Sequence, residues 1–258
     1  MINLTQKIIA FDLDGTLAES KQHLESDVAE LLCFLAKEKK VVIITGGSFD
    51  QFKKQFLPFF IPKKEDENII YYNLILLPTS GSRRYQYNLE KSEWEMTDEE
   101  AMPPMAREKA LLILREFISS GRYKMTPVIE GDEIIEDRVT QITISALGQH
   151  APIELKKIWD ADQKKRKEIK EILESKLPEV NIVIGGTTSI DILPKGFDKA
   201  KGLIRLLNKF GMVIGDMIFI GDAIFPGGND YSVYEAGIES IKVSGPVETI
   251  EIIKTWIV

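Results

Sequence analysis

Apolar and polar positions in this chain follow two rhythms. "KIIAFDLD" (7–14) holds four consecutive apolar residues, Ile8 to Phe11, a run that fits a strand buried on both faces. "ESDVAELLCFLAKEKK" (25–40) sets Val28, Leu31, Leu32 and Leu35 at helical spacing. "VVIIT" (41–45) reads as a strand, "FDQFKKQFLPFF" (49–60) as a helix broken near Pro58, and "IIYYNLILLP" (69–78) as a strand. Strands alternating with helices predict a parallel sheet covered by helices.

Near Ser82 the rhythm changes. "RRYQYNLEKSEWEMT" (83–97) alternates like a hairpin, and "MAREKALLILREFISS" (105–120) is helical. "DRVTQITISALG" (137–148) alternates as a strand, and "DADQKKRKEIKEILESKLP" (160–178) is a charged helix. "VNIVIGG" (180–186) and "SIDILP" (189–194) are strands. From Lys199 the first rhythm returns: helix "DKAKGLIRLLNKFG" (198–211), strand "MIFIGD" (217–222), a short helix at 230–237, strand "SIKVS" (240–244) and a closing helix from Pro246. The expected organisation is one core domain over 1–82 plus 188–258, split by an α+β insert over 83–187.

Composition narrows the function classes. The 258 residues are 44% apolar and 28% charged, as in an ordinary globular protein. The net charge of −7 gives no general attraction to nucleic acid or a membrane surface, so neither partner is expected. No run reaches the roughly 20 apolar residues of a membrane span. The first ten residues carry no signal-peptide pattern, and a cytoplasmic location is expected. Cys33 is the single cysteine, so a thiolate cluster is excluded, and with His23 and His150 alone a poly-histidine zinc site is not expected.

The chemistry gathers where strands end. Asp12 and Asp14 close the first strand at i and i+2, the spacing that aims two side chains to one face. Two carboxylates so close repel unless a cation joins them, and a hard ion such as Mg²⁺ is the simplest partner. Gly15 permits a sharp turn and Thr16 offers a hydroxyl. Thr45 ends the second strand before Gly46-Gly47-Ser48, and Asp222 ends the "MIFIG" strand before "AIFPGGND". Lys199 starts a helix after "PKGFD". Ligands of open parallel sheets sit beyond the carboxyl ends of the strands. Mg²⁺, a lysine and a hydroxyl there form a phosphate-binding set, with a carboxylate left over as nucleophile. Asp216, in "GMVIGDM", precedes its strand and suits a turn instead. A receiver-type signalling domain uses similar residues, but with an adjacent acidic pair, a later phosphoacceptor and about half this length.

This ordered set resembles the motifs of the haloacid dehalogenase (HAD) superfamily. "FDLDGTL", "TGGSFDQF", "GGTTSIDILPKGFDKAKGL" and "FIGDAIFPGGNDYSV" are similar to the α-phosphomannomutases of its C2-cap (type IIB) branch. The resemblance implies a Rossmann-like core with an inserted C2-type cap. It implies Asp12 as nucleophile, forming an aspartyl-phosphate, and Asp14 as acid/base. Mg²⁺ would be held by Asp12, the Asp14 main-chain oxygen and Asp222, supported by Asn229 and Asp230. Thr45 and Lys199 would bind phosphoryl oxygens. Arg138, Ser189 and Asp191 match substrate-binding residues of the cap.

Three positions depart from the family's arginines: Lys21 in the core, and Gln149 and Lys156 in the cap. Lys21 and Lys156 keep the charge without bidentate geometry, and Gln149 loses the charge. Thr79-Ser80-Gly81 stands where the family reads Glu-Asn-Gly. Two readings share this core. One is mutase turnover of mannose 1-phosphate and mannose 6-phosphate, with a hexose 1,6-bisphosphate activator. The other is a sugar-phosphate phosphatase, with water as acceptor. The resemblance also implies pairing of two copies through the cap.

Overall fold

The computed structural model describes residues 2–20 and 22–257, which form two compact units, Met1–Glu99 with Lys199–Val258 and Glu100–Asp198. In the first unit, seven strands make one sheet: β1 (Ile8–Asp12), β2 (Lys40–Ile44), β3 (Leu74–Leu77), β4 (Arg83–Asn88), β5 (Glu93–Glu99), β10 (Met217–Gly221) and β11 (Glu239–Lys242). Their spatial order is β11-β10-β1-β2-β3-β4-β5. The five strands from β11 to β3 run parallel, and β4 and β5 extend the sheet antiparallel. The chain builds outward from β1 to β2 and β3, then returns on the other side of β1 as β10. That reversal opens a crevice at the carboxyl ends of β1 and β10.

Both faces of this sheet are covered, which explains the unbroken apolar runs. Ile9, Phe11, Val41, Ile43, Leu74, Leu76, Ile218 and Ile220 face one core, packed by α1 (Ser26–Ala36), α3 (Glu67–Asn73), α9 (Pro246–Trp256), and Phe52 and Phe56. Ile8, Ala10, Val42, Ile44, Ile75, Leu77 and Phe219 face the other core, against Leu203, Leu206 and Leu207 of α7 (Lys199–Lys209) and Val233 of α8 (Tyr231–Glu235). The helix after β2 begins as α2 (Phe49–Gln51) and widens into a π-helical turn over Phe52–Phe56.

The second unit is an antiparallel sheet of order β6-β7-β9-β8: β6 (Ile135–Asp137), β7 (Ile142–Ser145), β8 (Val180–Gly185) and β9 (Ser189–Pro194). Ile142, Ile144, Ile182, Ile190 and Ile192 form an apolar face under α4 (Pro104–Ser119) and α6 (Lys164–Lys176). Alternate residues Thr143, Ser145, Ser189 and Asp191 form a polar face. The helix α5 (Ile153–Trp159) precedes α6.

Three features differ from the sequence reading. The expected strand over 69–78 is half helix. Only Leu74–Leu77 find a partner in β2, while α3 buries Ile70 and leaves Ile69 and Tyr72 exposed. Asn73 then donates its side-chain amide to Ala36 O at 2.8 Å, tying α3 to the end of α1. The expected strand over 137–148 is a hairpin whose turn holds Arg138, Val139 (φ +70°), Thr140 and Gln141. The units divide after Glu99 and Asp198, whereas the sequence reading divides the chain after Ser82 and Thr187. The hairpin β4–β5 pairs onto β3, and β9 lies between β7 and β8.

Cys33 sits half-buried in α1 beside the first core, and burial pushes its thiol up to about 11, with Lys37 opposing and Glu30 adding. The thiolate is the reactive form, so native Cys33 should react with a thiol reagent at pH 8 on the order of a hundredfold more slowly than a free thiol of pKa near 8.5. Urea should restore the ordinary rate. Equal native and unfolded rates would contradict this placement.

Candidate active site

The site begins with one strand register. Asp12 is the last residue of β1, level with Ile44 of β2, while Phe11 is level with Ile220 of β10. Asp12, Thr45 and Asp222 therefore emerge along one carboxyl edge. Beyond Asp12 the chain folds back at once: Gly15 N donates to Ala18 O at 2.7 Å, and Leu17 N to Leu13 O at 3.0 Å. Gly15 has φ +84°, and a Cβ there would lie 2.7 Å from Asp222 Oδ2. The glycine thus satisfies both the turn and the close approach of Asp222.

Lys199, first residue of α7, reaches into this edge and is almost wholly buried. Its Nζ donates to Asp12 Oδ1 and to Asp230 Oδ1, both at 2.6 Å. Asp230 has 0% exposure, and its second oxygen accepts from Ala223 N at 3.1 Å. Asp230 thereby fixes both the lysine and the turn carrying Asp222. Carboxylate oxygens of Asp12, Asp222 and Asp230 all lie within 4.8 Å of one another. Asn229 is half-buried beside Asp230.

These charges shift one another. Burial pushes the Asp12 carboxyl well above the usual range; Lys199 opposes this, while Asp230 and Asp222 add to it. Burial also raises Asp222, reinforced by repulsion from Asp230 and opposed by Lys199. For Lys199, burial favours the neutral amine, but attraction from Asp12 and Asp230 outweighs it and holds the ammonium above its ordinary value. One ammonium among three carboxylates leaves the ionised cluster two negative charges in excess. Its candidate ligand atoms are carboxylate oxygens. The donor set therefore fits a hard divalent cation.

Thr45 is buried, and its Oγ accepts from Gly47 N at 3.1 Å. Its carbonyl accepts from Ser80 N at 2.8 Å, and Gly47 O accepts from Thr79 N at 2.7 Å. Thr79, Ser80 and Gly81 are all left-handed, with φ of 52°, 56° and 83°. Such strain persists where surrounding structure imposes it. Here the turn clips the Thr45 loop, and Gly81 abuts Gly202 of α7: a Cβ on Gly202 would meet Gly81 Cα at 2.8 Å. One strained turn thus braces both the hydroxyl loop and the lysine helix.

Asp14 lies apart from the three-carboxylate cluster, and its side chain accepts from Gln51 and Gln55. These glutamines escaped the sequence reading; their i, i+4 spacing after Gly46-Gly47 was the available signal. The Lys199–Asp230 contact also escaped it, since Asp230 was assigned only to the metal. Lys21 lies outside the described residues.

In the second unit, Asp191 pairs in register with Thr143, and Ser189 with Ser145. Thr143 Oγ donates to Asp191 Oδ1 at 2.7 Å, and Gln141 Nε2 donates to Thr143 Oγ at 2.9 Å. Arg138 donates to Glu136 Oε2 at 2.6 Å, and buried Lys156 donates to Gln149 O at 2.7 Å. Buried Arg166 donates to Asp160 Oδ2 at 2.9 Å and to the carbonyls of Gly185 and Gly186, fixing the hairpin before Ser189. Sequence reading missed this clamp, because Arg166 falls in a run of exposed lysines.

The charge excess generates a test. A carboxyl raised on folding costs stability as pH rises through its folded pKa, and costs nothing below its unfolded pKa. In chelator at pH 8, Asp222→Asn should therefore raise Tm, by about 2–4 °C if relief is near 1 kcal/mol. Mg²⁺ should raise the Tm of the unmodified protein and leave the variant unmoved. A lower metal-free Tm with an intact Mg²⁺ response would contradict the cluster's role.

Among the described residues, no helix is long and apolar enough to cross a membrane. A family model of eukaryotic phosphomannomutases matches residues 106–258. The phosphomannomutase of Encephalitozoon cuniculi is 28% identical over 248 residues, covering 94% of this chain and 90% of that protein. The phosphomannomutase of Spinacia oleracea is 26% identical over 235 residues, covering 88% and 86%. An IMP-bound Plasmodium falciparum IMP-nucleotidase superimposes with TM-score 0.70 at 16% identity, covering 97% of this chain and 68% of that one. A haloacid dehalogenase-like hydrolase from Bacteroides thetaiotaomicron gives TM-score 0.56 at 19% identity, covering 96% and 100%. These two solved structures speak to the fold alone. With the matched model spanning more than half of it, the chain belongs to the eukaryotic phosphomannomutase family and is a phosphoryl-transfer enzyme of the HAD fold.

Proposed function

We propose that this enzyme interconverts mannose 1-phosphate and mannose 6-phosphate by passing a phosphoryl group through Asp12. The observation that carries the reading is the buried Lys199 bridge between Asp12 and Asp230, at the carboxyl edge of a phosphomannomutase-family core. An ammonium fixed on one oxygen of Asp12 orients that carboxylate and leaves its other oxygen for phosphorus.

Asp12 attacks phosphorus as the bond to the sugar oxygen breaks. Asp14 gives its proton to the departing oxygen and later takes one from the acceptor hydroxyl. Lys199 and Thr45 hold phosphoryl oxygens. Asp12, Asp222 and the Asp14 main-chain oxygen would hold Mg²⁺, with Asp230 and Asn229 in support. Bound there, Mg²⁺ supplies charge neutralisation for the transferring group.

The inserted unit is the cap of this reading. Its polar sheet face suits a polyhydroxyl ligand: Ser189 and Asp191 take sugar hydroxyls, and Arg138 and Lys156 take the distal phosphate. By the family resemblance, Lys21 is a further candidate for that phosphate. A hexose 1,6-bisphosphate activator and pairing through the cap, which rest on the family, and a cytoplasmic location, carried over from the sequence reading, complete the proposal.

One assay with two readouts tests it. Protein, Mg²⁺, mannose 1-phosphate and catalytic glucose 1,6-bisphosphate should yield mannose 6-phosphate with little inorganic phosphate. Phosphate release alone would replace the mutase by a phosphatase. Asp12→Asn should abolish turnover, a loss of at least about 10³-fold, with the fold retained by circular dichroism. Full activity in that variant would refute the nucleophile.

A further inference from the structure

The Asp14 carboxylate is gripped at both oxygens by one helical segment. Gln51 Nε2 donates to Oδ2 at 2.6 Å, and Gln55 Nε2 donates to Oδ1 at 3.2 Å. The Gln51 amide also donates to Gln55 Oε1 at 2.7 Å, so the two side chains lock to each other. Neutral amides orient a carboxylate without cancelling its charge.

The backbone beneath them is unusual. Gln51 ends α2, and Gln55 lies in the π-helical turn Phe52–Phe56, closed by Leu57 N donating to Phe52 O at 2.8 Å. Such turns are rare and recur at functional sites. Phe52 and Phe56 are fully buried, which anchors the turn in the core. Gln55 is itself buried, and its carbonyl accepts from Leu24 N at 3.0 Å. A methyl group on Gly47 would lie 1.5 Å from Gln51 Oε1. The glycine thus leaves the space into which Gln51 folds on its way to Asp14.

We propose that Gln51 and Gln55 are positioning residues that fix the Asp14 carboxyl group for proton transfer. The inference rests on the assignment of Asp14 as acid/base. In the forward step the Asp12–phosphorus bond forms, the phosphorus–sugar oxygen bond breaks, and the Asp14 proton moves to the departing oxygen. The sugar leaves as a neutral hydroxyl and Asp14 becomes a carboxylate. In the reverse sense the acceptor hydroxyl gives Asp14 its proton as its oxygen bonds to phosphorus and the Asp12–phosphorus bond breaks. An aryl phosphate such as p-nitrophenyl phosphate departs as a stable anion and needs no such proton. A defect confined to Asp14 must therefore depend on the leaving group, whereas a general structural defect does not.

The experiment compares Gln51→Ala, Gln55→Ala and the double variant with the unmodified enzyme. kcat on mannose 1-phosphate should fall about tenfold or more, with KM within about twofold. Initial release of p-nitrophenolate from p-nitrophenyl phosphate should stay within about threefold. The fold followed by circular dichroism and the Mg²⁺ affinity measured by calorimetry should not move. Lys54→Ala, at an exposed position on the same turn, should match the unmodified enzyme in every readout.

Unmodified enzyme that converts mannose 1-phosphate while the glutamine variants keep its kcat would overturn the positioning role alone. Equal losses on both substrates would also overturn it. Unmodified enzyme that releases p-nitrophenolate but converts no hexose phosphate would overturn the substrate reading, and this role with it.

Discussion

A single buried ammonium organises the first unit. Lys199 Nζ lies 2.6 Å from Asp12 and 2.6 Å from Asp230, with scarcely any access to water. Taking an ion from water costs several kcal/mol, roughly, even after relaxation, so such a lysine persists only with close partners. It has two. The same attraction leaves Asp222 and the second oxygen of Asp12 with charge that Lys199 does not balance. The lysine thus fixes Asp12 and offsets one of the cluster's three negative charges, leaving two for a cation to balance.

The scaffold serves that arrangement. Reversal of strand order about β1 brings Asp12 and Asp222 to one edge, and α7 begins with the lysine that bridges Asp12 and Asp230. The left-handed turn at Thr79–Gly81 hydrogen-bonds to the Thr45 loop and presses against Gly202. The Thr45 loop and the helix that begins at Lys199 are thereby held by one strained segment. The segment running from α2 into the π-helical turn carries Gln51 and Gln55 to Asp14. The two aspartates, Asp12 ending β1 and Asp14 in the turn beyond it, occupy different electrostatic settings. Asp12 meets an ammonium and other carboxylates, and Asp14 meets neutral amides.

Much of this was legible in the residues. Buried strands announce themselves as continuous apolar runs, so β1, β2 and β10 could be read directly, and with them the strand-end positions of Asp12, Thr45 and Asp222. Lys199 was legible as a residue but not as a bridge, because sequence spacing does not say which carboxylate a lysine 187 residues away will reach. The glutamines were hidden because their effect depends on a helix widening at Phe52, which apolar periodicity does not encode. "IIYYNLILLP" failed as one strand because β2 offers pairing only to Leu74–Leu77. Arg138 belonged to an alternating run that tertiary pairing folds into a turn. Boundaries between the units shifted because β4 and β5 join a sheet whose partners lie earlier in the chain.

The central claim is that the phosphoryl group rests on Asp12. Acid quenching of the enzyme during turnover of labelled glucose 1,6-bisphosphate, followed by peptide mapping, tests it most directly. The account predicts a base-labile phosphoryl group on the peptide containing Asp12, approaching one per chain, and none in Asp12→Asn. Label on a different residue, or turnover with no labelled enzyme at any quench time, would contradict it.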